Sequence, residues 1–110
     1  SDYMSKNISA SHILIMHKDS QSSRSELTKD EAFKKINKIY KEVIKTPELF
    51  SDIALKNSDC SSASSGGALG SFGKGMMVKE FEDSAFSLKE NEISTPIETD
   101  FGFHVIKRDS

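Results

Sequence analysis

The sequence predicts an α+β fold: a small, mainly antiparallel sheet with helices packed on it, in the order β-α-α-β-α-β-β. Three observations point there. Strand-like runs rich in β-branched residues open and close the chain. Two consecutive helical periodicities fill residues 28–57. And too few crossovers separate the strands for a doubly wound parallel sheet.

The first strand is "ASHILIM", residues 10–16. Ala10, His12, Leu14 and Met16 lie on one face and Ser11, Ile13 and Ile15 on the other. Both faces are largely apolar, so the strand belongs in the middle of the sheet, covered on both sides. Residues 17–27, "HKDSQSSRSEL", have no periodicity and read as a long loop, of the kind that is functional or mobile in a compact domain. Thr28 and Glu31 form a T-x-x-E capping box that opens a helix running to about Lys45, with Ala32, Phe33, Ile36, Ile39, Tyr40, Val43 and Ile44 at helical steps. Thr46 then precedes Pro47, a cap with proline at the first helical position. The shorter helix that follows turns Leu49, Phe50, Ile53 and Ala54 inward and ends near Asn57.

"SSASSGG" reads as a flexible loop or a flap, and residues 68–72 as a short strand broken by Gly73 and Gly75 around Lys74. Residues 79–88 form a third helix with Phe81, Ala85 and Leu88 on one side. "EISTPIET" reads as a strand whose Pro96 is tolerated at an edge or a bulge. "TDFG" turns the chain into the last strand, "FHVIKR".

The 110 residues suit one domain with one core, and 35% hydrophobic with 29% charged residues marks a globular chain. Residues 1–7 are read as a disordered or vector-derived tail and 8–110 as the domain. A net charge of −2, from 15 basic and 17 acidic residues, gives no electrostatic reason to expect nucleic acid or a membrane surface. No apolar run approaches a membrane helix in length, and no signal peptide is visible. One cysteine, Cys60, forms no internal disulfide, which favours a reducing compartment, cytoplasm or nucleus.

Cys60 lies in "NSDCSSASSGGALGSFGKGMM" and poses the functional question. It reads as a small buried residue or as a polarisable, ionised sulfur beside a substrate carbonyl, and a non-covalent role is favoured. A cysteine hydrolase would pair it with a histidine base and an orienting acid, but so short a chain leaves little room for a cleft and an oxyanion site. A metal site from His12, His104 and Cys60 lacks any short ligand spacing.

"SHILI", "SDCSSASSGGALGSFGKGMM", "FEDSAFSL" and "TDFGFHVIKR", in this order and spacing, resemble the parvulin family of peptidyl-prolyl cis/trans isomerases over residues 10–108. A cysteine in "SDCSS" and the long loop after the first strand resemble the eukaryotic phospho-directed (Pin-type) branch. The resemblance implies a four-stranded, mainly antiparallel parvulin/FKBP-like sheet surrounded by helices. It implies a catalytic cluster of His12, Cys60, Thr99 and His104, and a proline pocket of Leu69, Phe72, Met77 and Phe81. No cofactor and no metal are implied. The substrates implied are proline-containing protein segments, phosphorylated ones included, met by a monomer.

The chain departs from that branch at three places. Met16 stands where the branch has a lysine four residues after the first histidine. Lys18 and Arg24 are the only cations in the loop, in place of adjacent arginines, and are the candidate phosphate contacts. Phe101 stands where serine is common. A WW domain is absent from the sequence.

The implied chemistry breaks no bond. Resonance makes the amide before proline rotate slowly, over a barrier of roughly 18–20 kcal/mol, and a catalyst need only favour the twisted state. An apolar cup would hold the ring, and neighbouring polar groups would bond the carbonyl or the ring nitrogen. Taken singly, His12 could be a hydrogen-bonded core histidine, and Leu69, Phe72 and Phe81 could be core. The alternative function is a module that binds proline segments or acts as a chaperone without turnover.

Overall fold

The computed structural model describes residues 6–110. Of the tail expected at 1–7, residues 1–5 lie outside the described residues, and Asn7 already belongs to the first strand. The elements are β1 (Asn7–Ile15), α1 (Lys29–Lys45), α2 (Phe50–Asn57), β2 (Ala68–Gly73), α3 (Lys79–Ser87), β3 (Ile97–Thr99) and β4 (Gly102–Arg108). The four strands form one sheet in the order β2-β1-β4-β3, every pair antiparallel. β1 is therefore internal, as its two apolar faces require.

The alternation of β1 builds two cores. Ile13 and Ile15, with Phe103 and Val105 of β4, face α1 and α2 and pack on Ala32, Ile36, Ile39, Val43, Phe50, Ile53 and Ala54. Ile8 and Ala10, with Phe72 and Ile106, face α3 and pack on Phe81, Ala85 and Leu88. Each large side chain so buried contributes about 1.5–3 kcal/mol.

α1 begins at the capping box: the Glu31 amide donates to Thr28 Oγ1 at 3.0 Å and the Thr28 amide to Glu31 Oε1 at 2.8 Å. Its buried stripe is narrower than the sequence pattern. Ala32, Ile36, Ile39 and Val43 are buried, whereas Phe33 and Ile44 are 48% and 45% exposed. They flank the stripe, a helical step away from the line that meets the sheet.

Three further expectations need correction. Thr46 makes no side-chain cap, and Pro47–Leu49 form a 3-10 turn that leads into α2. The tighter turn directs Leu49 outward, where it is exposed rather than packed. "EISTPIET" is not one strand. Pro96 has no N–H for a ladder, so pairing contracts to β3 and a single bridge between Ile93 and Lys107. Ser94 bridges the gap: its amide donates to Ile106 O at 2.7 Å and its Oγ accepts from the Ile106 amide at 2.9 Å. Finally, "SSASSGG" is not a free loop. Ser61–Ser65 form a 3-10 helix ended by Gly66 in the left-handed region. Gly67 follows, at φ +89°, and a Cβ there would sit 2.4 Å from the His12 carbonyl oxygen. Only glycine lets this segment come so close to β1.

Candidate active site

α3 covers the Ile8–Ala10 end of its sheet face and leaves His12, Leu14 and His104 beside a cleft of about 840 Å³. The other walls come from Met16, Ser58, Asp59, Cys60, Leu69, Met77, Phe81 and Phe101.

The two imidazoles meet because of strand register. His12 pairs with Ile106 and His104 with Leu14, so the histidines are diagonal neighbours on one face of β1 and β4. Their Nδ1 atoms are 3.0 Å apart and their rings stack at 23°. Nε2 of His104 lies 2.7 Å from Thr99 Oγ1, on β3, and Thr99 Oγ1 also accepts from the Phe101 amide at 3.1 Å. Phe81 stands edge-on to both rings, with centroids 5.4 Å from each. Burial, and then the neighbouring His12, pull His104 down to about 3, so it is neutral at physiological pH. Nε2 of His12 is the one nitrogen of the pair with no protein partner.

Cys60 reaches this pair through a strand-like segment beyond α2. Leu14 N donates to Ser58 Oγ at 3.0 Å, Asp59 N to Leu14 O at 2.7 Å, and Met16 N to Asp59 Oδ2 at 2.8 Å. These bonds continue the edge of β1 past the end of β2. The Cys60 thiol is partly buried, and its pKa is drawn down to about 6, chiefly by the His12 imidazole, against the opposing effect of burial, with help from Ser62.

The loop of residues 17–27 is pinned rather than loose. Lys18 N donates to Leu27 O at 2.8 Å and Gln21 N to Asp100 O at 2.7 Å. Arg24 Nη2 donates to Asp59 O at 2.5 Å, which holds its guanidinium at the cleft wall.

His12, Cys60 and His104 thus share one cleft, and Thr99 stands behind His104 without lining it. Leu69, Met77 and Phe81 form an apolar wall. Phe72 does not line the cleft: it is 1% exposed and lies in the core behind Phe81, with ring centroids 6.2 Å apart. Its place on the face of β2 that packs against α3 explains the difference. Of the two loop cations, Arg24 lines the cleft and Lys18 does not. The sequence reading missed Leu14, Ser58, Asp59, Met76 and Val78 as cleft residues. Asp59 adjoins Cys60 and Met76 adjoins Met77, so adjacency to a suspected site was the available signal.

Residues 12–110 match the family model described as "Rotamase: PPIC-type PPIASE domain". The chain is 43% identical over 114 residues to "Peptidyl-prolyl cis-trans isomerase Pin1" of Digitalis lanata, covering 94% of this chain and 97% of that one. It is 48% identical over 101 residues to "Foldase protein PrsA" of Staphylococcus epidermidis, covering 91% of this chain but 31% of that protein. Among solved structures, "Peptidyl-prolyl isomerase ESS1 from Candida albicans" superposes with a TM-score of 0.91 at 33% identity, covering 94% of this chain and 63% of that one.

Proposed function

The chain belongs to the parvulin-type (PPIC-type) peptidyl-prolyl cis/trans isomerases, and from that premise we propose that Leu69, Met77 and Phe81 seat the proline ring while His12, Cys60, Thr99 and His104 favour the twisted amide. The observation that carries this reading is Nε2 of His12, buried beside the cleft with no hydrogen-bond partner among the described residues, on the imidazole that most affects the Cys60 thiol.

The hydrogen-bond chain supports one order of protons. The Phe101 amide occupies one lone pair of Thr99 Oγ1, and in this reading the Thr99 hydroxyl donates its proton to Nε2 of neutral His104. His104 then carries its own proton on Nδ1 and donates it to Nδ1 of His12. His12 in turn holds its proton on Nε2, the nitrogen with no protein partner. That N–H is a donor in a water-poor wall. It is suited to a ring nitrogen that gains a lone pair as resonance is lost.

Cys60 complements it. With a pKa near 6 the sulfur is largely thiolate at neutral pH. Negative charge near the substrate carbonyl disfavours the planar resonance form, which places negative charge on oxygen. The twisted form suffers less, so the difference lowers the barrier without any covalent step. Each tenfold gain in rate corresponds to about 1.4 kcal/mol of such differential binding.

Specificity before proline is the finer part of the proposal. Arg24 is the sole lysine or arginine lining the cleft, and Met16 and Phe101 are apolar neighbours. One arginine supports a modest preference for acidic or phosphorylated residues, and the apolar neighbours admit leucine as well. The test is a protease-coupled isomerisation assay on peptides with phosphoserine, glutamate, alanine or leucine before proline. Acidic peptides should lead by several-fold. Arg24→Ala should erase the lead, and Lys18→Ala should leave it. A leucine preference indifferent to Arg24 would refute it.

The proposed substrates are proline-bearing protein segments. They are met by a monomer in this proposal, and sedimentation at single-chain mass is the matching result. A thiol of pKa near 6 stays reduced most readily in cytoplasm or nucleus, and microscopy of the tagged protein checks that placement.

A further inference from the structure

We propose that Glu82 is a positioning residue that sets the width of the proline seat. The inference rests on the reading of Leu69, Met77 and Phe81 as that seat. Glu82 follows Phe81 on α3 and is buried, an unusual place for a carboxylate. It enters none of the ion pairs among the described residues. Its Oε1 instead accepts a 2.6 Å hydrogen bond from the Gly75 amide, seven residues back.

Gly75 sits in the turn that delivers Met76, Met77 and Val78 to the cleft. That turn's other ties are weak. The Met76 amide reaches Gly73 O only at 3.4 Å, the Gly73 amide meets Met76 Sδ at 3.3 Å, and Lys74 Nζ lies 5.5 Å from the Phe86 ring of α3; a Cβ at Gly75, at φ +90°, would meet open space. The carboxylate–amide bond therefore joins the turn carrying Met77 to the helix carrying Phe81. Two walls of the cup are fixed relative to each other by a side chain that touches no substrate. Glu82 also lies in the first turn of α3, where the helix dipole favours a carboxylate.

The test compares Glu82→Ala, Glu82→Asp and Glu82→Gln. Glutamine presents an amide oxygen at the same reach, whereas aspartate keeps the charge but falls one methylene short. In line-shape measurements on a proline peptide, alanine and aspartate should raise KM about fivefold with kcat within about twofold, and glutamine should restore KM. Amide exchange at Gly75 should quicken in alanine and aspartate and not in glutamine. A purely structural role would lower the melting temperature without moving KM, and that result would overturn the inference. So would a glutamine variant as impaired as alanine. Phe81→Leu is the control for the seat itself: if it leaves KM unmoved, the seat reading fails, whatever the Glu82 variants do.

Discussion

Nδ1 of His12 and Nδ1 of His104 face each other across 3.0 Å, so one proton serves both nitrogens. A second proton between them would turn two N–H donors toward each other with no acceptor inside a buried pair. The arrangement forces one ring to donate and the other to accept, and in the proposed order the Thr99 hydroxyl makes His104 the donor. In that order the pair presents the Nε2–H of His12 to the cleft.

Acid should destabilise the fold through His104. Its ordinary value is 6.5 and its folded value about 3. Below pH 6.5 the unfolded chain takes up a proton that the folded chain refuses until about pH 3. Stability from this group is thus complete above 6.5 and declines toward 3, by at most about 1.4 kcal/mol per pH unit. Urea unfolding of the protein and of His104→Asn between pH 7.5 and 4 measures the difference. Equal slopes for the two proteins would show that His104 does not resist protonation.

Thiol alkylation should titrate near pH 6, well below the ordinary 9.0. Iodoacetamide rates from pH 4.5 to 9 give the midpoint, and His12→Ala should move it upward because the His12 imidazole is the main cause of the depression. The same shift links to folding with a defined sign: this contribution is complete above pH 9 and falls away toward 6. Cys60→Asp should keep more isomerase activity than Cys60→Ala, since a carboxylate supplies the charge and a methyl does not. Equal losses in the two would leave the sulfur with no electrostatic part.

Phe81 and Phe72 should separate site from core. Phe81 lines the cleft and stands against both imidazoles, whereas Phe72 is fully enclosed behind it. Phe81→Leu should cost about tenfold in kcat/KM, or about 1.4 kcal/mol. Phe72→Leu should mainly lower stability, by about 1–2 kcal/mol, with kcat/KM nearly unchanged. Chemical denaturation paired with the coupled assay resolves the two. A Phe72 variant with the larger kinetic loss would reverse the assignment.

Thr28→Ala should reduce stability by about 1 kcal/mol and leave turnover alone. The Thr28–Glu31 box starts α1, and neither residue is among the cleft walls. Thermal melts and the isomerisation assay report the two effects separately.

Local chemistry explains what was readable in the sequence. The apolar faces of β1 placed it inside the sheet, and the capping box fixed the start of α1. The resemblance brought His12, Cys60 and His104 together. What it could not give was direction and reach. Phe72 and Phe81 are the same residue type, and only packing shows that one lies behind the other. Lys18 and Arg24 share one loop, and only its pinning to Leu27, Asp100 and Asp59 sets which faces the cleft. Pro96 announced a disturbed strand, but the Ser94 bonds that replace the ladder depend on a partner twelve residues away. Leu49 fits a helical stripe until the chain tightens into a 3-10 turn.

The Ser58–Asp59 segment has one more effect. Because it already satisfies the amides of Leu14 and Met16, a visiting polypeptide finds no bare ladder to zip onto next to the imidazoles. On the proposed reading, a client there must be gripped by its proline ring and nearby side chains rather than by added main-chain ladder bonds.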